Sequence, residues 1–192
     1  MTKNNTQAAD RQPTSEQDDQ MIASSLAMSF HEVVFLESSR IEMEGIDDCE
    51  RIQRALAMIR EHSDSESGSI LLAAPDEGIL YFADAWGPKA KEVMDFRVPI
   101  DTGLAGFCAR TGTSVLVNDA REDARFDGNV AEEADYRISN ICAAPIQEEG
   151  FVFGVIQLMN KKGGTYSEAE VRALTYLGRV LGRRIWESAV EA

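Results

Sequence analysis

The stretch VPIDTGLAGFCARTG, residues 98–112, restricts the fold more than any other part of the chain. A short apolar strand meets an Asp-Thr-Gly turn, then a small helix that another glycine closes. Pro99 has no N–H to give to a ladder, so the strand is expected at an edge or an end of a sheet. Asp101 or Thr102 can accept from the first N–H groups of the helix, while Gly103, Gly106 and Gly112 tolerate positive φ or close backbone approach. Free N–H groups at that helix start would suit an anionic or carbonyl ligand, so the stretch reads as the mouth of a pocket. A well-capped connecting helix without a ligand is the competing account.

Around it the chain divides in order. Residues 1–20 carry almost no large apolar side chains and are expected to form a disordered tail. Residues 21–45 are expected to hold a helix, Ser24 to Met43, with Leu26, Phe30, Val33, Val34 and Ile41 in a loose helical period and Gly45 as its stop. A second helix begins at Asp47, which can cap it while Glu50 reaches back; its stripe is Cys49, Ile52, Leu56 and Ile59. Glu61–Ser67 reads as a polar loop. SILLAAPDEGILYFADAW reads as two strands joined at Pro75–Gly78. Lys89–Lys91 is a charged connection to a strand at Phe96–Ile100 and the small helix.

SVLVND, residues 114–119, is a further short strand. The polar segment from Ala120 to Arg137 has the length and composition of a lid. Two strands follow, Ile138–Ile146 and Phe151–Asn160, around a Glu-Glu-Gly turn. Ser167 with Glu170 forms a capping box that opens a long helix to about Ala189, with Val171, Leu174, Leu177, Leu181 and Ile185 on one face. Tyr176, Val180 and Trp186 lie partly off that stripe. A second subunit is the economical cover for so wide an apolar surface, and Leu26, Phe30, Val33, Val180 and Trp186 are the expected dimer residues.

The 33 acidic and 19 basic residues give a formal net charge of -14. That balance argues against nucleic acid or an anionic membrane as partner, because phosphate binding needs clustered Lys and Arg. No apolar leader or run of membrane-spanning length is visible, so the expected compartment is the cytoplasm. Cys49, Cys108 and Cys142 lack CxxC spacing and sit among apolar neighbours, which suggests reduced, buried thiols. With only His31 and His62 as histidines, and both expected at the surface, neither a metal nor another cofactor is expected.

The ordered combination VPIDTGLAGFCARTGTSVLVNDAREDARFD, ISNICAAPI and GVIQLMNKKGGTYSEAE resembles a GAF domain, in pattern that of cyclic-nucleotide phosphodiesterases and adenylyl cyclases. The resemblance covers about residues 46–188, and the domain is bounded at 46–190. It implies an α+β fold: an antiparallel sheet of about six strands, the terminal helices on one face and a lidded pocket on the other. The family's NK...F...DE signature is followed in part by Asn160, Lys161, Tyr166 and Glu170, with Val171 at the final acidic position. Lys161 and Glu170 would form a structural ion pair.

By the same resemblance, Leu104 and Ala105 match backbone donors to a cyclic phosphate. Trp86, Arg121, Phe126, Tyr136, Asn140 and Gln157 complete the expected ligand-binding set. Trp86 could stack on a ring or belong to the core. Ala131, Ala134 and Ile138 stand where such modules offer polar lid contacts, and Gln157 where they offer an acid, which disfavours cyclic-nucleotide binding proper. Arg121, Arg125 and Arg137 could grip an anion or pair with acids of the lid.

Some GAF proteins reduce free methionine sulfoxide with an activated cysteine, but the cysteine pattern needed is not reproduced here. The bilin-attaching Cys-His pair is also missing. The expected function is therefore a non-catalytic cytoplasmic regulatory module that binds a small ligand and signals through a helical homodimer or a separate effector protein. The alternative is a GAF scaffold whose pocket is empty or closed.

Overall fold

A computed structural model describes residues 28–42, 45–129, 132 and 135–191. The expected tail at 1–20, Leu26, Ala131 and Ala134 lie outside the described residues. The elements are α1 (Phe30–Ile41), α2 (Asp48–His62), β1 (Ser65–Ala74), β2 (Ile79–Trp86), α3 (Ala90–Val93), β3 (Arg97–Pro99), α4 (Gly103–Thr111), β4 (Val115–Val117), β5 (Ile141–Glu148), β6 (Phe151–Lys161) and α5 (Glu168–Glu191). The strands form one sheet in the order β3-β2-β1-β6-β5-β4, and every adjacent pair is antiparallel. Pro99 thus lies on an edge strand, as its missing N–H requires.

Local signals account for most boundaries. The Asp47 carboxylate accepts from the Glu50 N–H at 2.8 Å and starts α2, but the Glu50 side chain turns to Arg54 at 2.6 Å rather than completing the box. At α5 the box is complete: the Ser167 N–H and hydroxyl both donate to Glu170 at 2.8 Å, and the Glu170 N–H reaches Ser167 Oγ at 3.4 Å. The β1–β2 turn closes at Gly78 with φ 68°. Glu149 and Gly150, at φ 49° and 81°, turn β5 into β6.

Alternation along the strands divides the core in two. Ile70, Cys142, Ala144, Ile156 and Leu158 face α1, α2 and α5. Leu71, Leu80, Phe82, Ala143 and Val155 face α4 and the lid. The helix layer is thick because α5 packs on both the sheet and α1, so it buries a broad arc. Phe30, Val33 and Val180, expected at a dimer surface, are consequently 9%, 7% and 1% exposed inside the chain's own core. Trp186 stacks on Phe151 at 5.2 Å and leans on Phe153 at 6.4 Å.

Two further expectations change. Ser65–Ser67, read as loop, belongs to β1, and Cys49 is exposed because its turn of α2 projects past the sheet-facing stripe of Ile52, Leu56 and Ile59. No helix among the described residues is long and apolar enough to cross a membrane.

Candidate functional site

The pocket floor is a short patchwork of small and polar side chains on β2, β1, β6 and β5. Register aligns Ala85, Ser69, Gln157 and Ala143 in one row across the four strands, and Ser67, Met159 and Ile141 in the next. Two alanines and two serines leave a hollow where larger residues would fill the space. Above it the first turn of α4, the short α3 and the lid residues Phe126, Asp127, Tyr136 and Ile138 enclose a cavity of about 320 Å³. That volume is at the small end of the range for ligand sites.

The opening of α4 follows from its glycines. Gly103 takes φ 67°, and a side chain on Gly106 would meet the Ile100 carbonyl oxygen at 2.6 Å. The expected side-chain cap is not made: Thr102 Oγ1 donates back to Pro99 O at 3.3 Å. Position 102 is held by its own turn, and among the described residues the first-turn N–H groups have no side-chain cap.

Of the expected ligand-binding residues, Leu104, Ala105, Phe126, Tyr136 and Gln157 line the cavity. Trp86 borders it, but its ring lies over Gly68 in the helix-side core, because the bulge between β1 and β2 turns its side chain to that face. Arg121 is exposed and does not line the cavity. Asn140 is occupied elsewhere, accepting from the Lys161 N–H at 2.8 Å and donating to Gly164 O at 3.4 Å. Arg125 pairs with Asp123 at 2.6 Å and lies 4.7 Å over the Phe107 ring, so it pins lid to α4.

Bonding to Arg125 lowers the Asp123 carboxyl to about 2. The carboxylate therefore adds to lid stability above its ordinary value of 3.8, and the contribution is lost as pH falls towards 2.

The far end of the lid is tied by a polar cluster. Tyr136 Oη bonds Ser67 Oγ at 2.8 Å and donates to Glu66 at 3.1 Å, while Asn160, at φ 56°, donates to Arg137 O at 2.8 Å and accepts from the Ser139 N–H at 2.8 Å. Burial raises the Tyr136 hydroxyl above its ordinary range and keeps it protonated. Lys161 and Glu170 form the expected ion pair at 2.5 Å, and Tyr166 Oη meets Ser65 at 2.8 Å. These signature residues hold the sheet to α5 and stand apart from the floor.

Sequence reasoning missed Ser67, Ser69, Lys89, Arg97, Asp127 and Asn129 on the cavity wall. The alternation Ser65, Ser67, Ser69 was the available signal for the first two.

None of the three cysteines lines the cavity. Burial pushes the Cys108 thiol up to about 12 and raises Cys142 further. Thiolate is the reactive form, so at pH 8 the folded chain is expected to take up one equivalent of an alkylating reagent, at Cys49, and three in denaturant. Peptide mass mapping of the labelled protein checks the position.

The architecture is that of an α+β domain with a lidded cavity on one face of its sheet. The GAF domain profile matches residues 50–185, and the chain belongs to the GAF domain family. A probable 3',5'-cyclic phosphodiesterase, pde-5, of Caenorhabditis elegans is 33% identical over 76 residues, covering 40% of this chain and 10% of that protein.

Among solved structures, the GAF domain of a phosphoenolpyruvate-protein phosphotransferase from Coxiella burnetii superposes with a TM-score of 0.74 at 15% identity, over 86% of this chain and 98% of that one. Free methionine-R-sulfoxide reductase from Neisseria meningitidis, in complex with its substrate, gives 0.71 at 18% identity, over 85% and 92%. These structures share the fold. The chain spans about a tenth or less of the length of the curated relatives named for cyclic-nucleotide phosphodiesterase activity.

Proposed function

We propose that the chain is a non-catalytic regulatory module that binds one small molecule beneath its lid and passes occupancy on through α1 and α5. The observation that carries this reading is the cavity itself, mostly apolar in its lining with a few polar side chains. Neither cysteine nor histidine is among its lining residues, and the buried thiols stay protonated, which weighs against the sulfoxide reduction named for the Neisseria protein. Ile138 offers hydrocarbon to the cavity where cyclic-nucleotide modules offer a polar contact, so that ligand class is the weaker fit.

Native mass spectrometry of the protein incubated with an extract of its own cells tests the reading. The expected result is an increment of one small molecule per chain, released on denaturation. A chain that carries no increment at any extract concentration would favour the scaffold with an empty or closed pocket.

For output, a second copy is the partner that the exposed helix face suits. Phe35, Leu36 and Tyr176 are 48%, 65% and 36% exposed on neighbouring turns of α1 and α5. Glu37, paired with Arg40 at 2.5 Å, and Glu32 flank them on α1, and Arg172 and Arg179 flank them on α5, so the apolar patch has a charged rim, as an interface between copies would. Leu36→Glu with Tyr176→Asp is expected to convert a dimer to a folded monomer in light scattering. A wild-type monomer, or an unchanged dimer in the variant, would remove this surface from the account.

A further inference from the structure

Three aromatic rings gather beside the tip of the β5–β6 hairpin, away from the cavity. Pairing between these strands slips after Ile146: Ile146 opposes Gly154, Gln147 opposes Val152, and Phe153 has no partner on β5. An extra residue of this kind restarts the alternation of the strand, so Phe151 and Phe153 both come to the face that α5 covers. There Trp186 stacks on Phe151 with 22° between the ring planes and also meets Phe153. Val190 follows one turn later on the same side of α5. Phe151 and Val190 are 58% and 67% exposed, and none of these four residues lines the cavity. One exposed apolar side chain means little, but a contiguous patch built on a stacked tryptophan has the composition of an interface centre. The stack holds both rings in place before any partner arrives, so docking has little left to order.

Charge decides the partner. Glu148 stands opposite Phe151 in the ladder, on the same face, and Glu149 occupies the turn. Asp76 and Glu77, exposed in the β1–β2 turn, lie at the same end of the sheet, because Leu72 pairs with Gly154. Among the described residues none of these four carboxylates makes an ion pair, whereas Arg183 and Arg184 of α5 are matched with Glu42 and Glu187. The aromatic platform therefore has an acidic border that nothing neutralises. A second copy would set these acids against themselves, and an anionic lipid surface would repel them. A guanidinium suits both parts: it lies flat on an indole or phenyl face, and it donates two parallel hydrogen bonds to a carboxylate.

We infer that Phe151, Phe153 and Trp186 form a docking surface for an arginine-bearing apolar segment of another protein, with Glu148 and Glu149 receiving its charge. The surface lies beside the last turns of α5 and outside the pocket, so its test is independent of the small-molecule reading.

Fluorescence anisotropy of labelled peptides titrated with the full chain tests it. The first probe is an amphipathic peptide of leucine and arginine, about 14 residues long; the second carries glutamate for every arginine, and the third serine for every leucine. The first is expected to bind saturably, one per chain, and the other two about tenfold or more weakly. Phe151→Ser, which keeps the charge of the chain, is expected to weaken the first probe about tenfold, and Glu148→Lys with Glu149→Lys by at least as much. Asp119→Lys with Glu122→Lys makes the same change of charge beyond the other end of β5, and is expected to alter binding by less than about twofold. Circular dichroism establishes that each variant is folded.

Equal binding of the serine and arginine peptide, or of the first probe by Phe151→Ser and wild type, would reduce the effect to general attraction by an acidic chain and overturn the surface. So would an equal loss in the Asp119 and Glu122 variant, or no binding of the first probe by the wild type. Self-association of the wild type that Phe151→Ser abolishes, seen by sedimentation velocity, would give the surface to a second copy and overturn the inference as well.

Discussion

Replacing Gly178 with alanine is expected to destabilise the protein by about 2 kcal/mol, although alanine is the better helix former. Intrinsic propensity alone would favour the variant by about 1 kcal/mol. The opposing effect is contact: a methyl at Gly178 would lie under 3.0 Å from the Pro145 carbonyl oxygen, and one at Gly182 would meet the backbone of Gln147 in the same way. Both glycines face β5, four residues apart, so α5 lies directly against the strand over one full turn. A backbone carbonyl within a ladder cannot swing aside as a side-chain tip can, so helix and strand would have to separate. For a domain worth about 5–15 kcal/mol, the double variant Gly178→Ala with Gly182→Ala is expected to be at the limit of folding. Urea midpoints measure both effects, and a Gly178→Ala midpoint above wild type would show that propensity outweighs contact.

Glu170→Ala is expected to cost about 2–3 kcal/mol, more than the roughly 1 kcal/mol of a helix cap alone. One carboxylate, 6% exposed, serves both the ion pair to Lys161 at 2.5 Å and the capping box with Ser167. Its removal leaves the Lys161 amine, whose side chain is 23% exposed, without its partner. Partial exposure lets that amine recover water and keeps the loss below that of a fully buried pair. The double variant Lys161→Met with Glu170→Leu should regain most of the ion-pair part and leave the cap part lost. Losses from Lys161→Ala and Glu170→Ala that simply add would contradict a shared role.

Much of the fold was legible because its signals are local. Pro75–Gly78 marks the hairpin, Pro99 marks the edge strand, and Asp47 and Ser167 mark helix starts. The family likeness added the layer order, and the match over residues 50–185 agrees with it. The site was legible in outline only. Ser65, Ser67 and Ser69 alternate along a strand whose outlook is partly a cavity, so the apolar alternation that announces a strand is absent there.

Trp86 turns to the helix-side core through a bulge that shifts pairing between Ile70 and Leu71, and nothing in the local sequence records that shift. Val180 and Phe30 were misread because an α-helix between a sheet and another helix buries more than one stripe. Gly178 and Gly182 carry no periodic signal, since their role is to let two backbones touch.

The cavity between sheet, α4 and lid is the centre of the account, and filling it is the most direct challenge to it. Ala85 lies on the floor beside Ser69, so Ala85→Phe would place a ring where the ligand is expected. Native mass spectrometry of wild type and Ala85→Phe, each incubated with an extract of the protein's own cells, with circular dichroism to establish that both are folded, makes the comparison. Saturable binding at one molecule per chain in the wild type, lost in the folded variant, is the predicted result; equal binding by both, or none by the wild type, would contradict it.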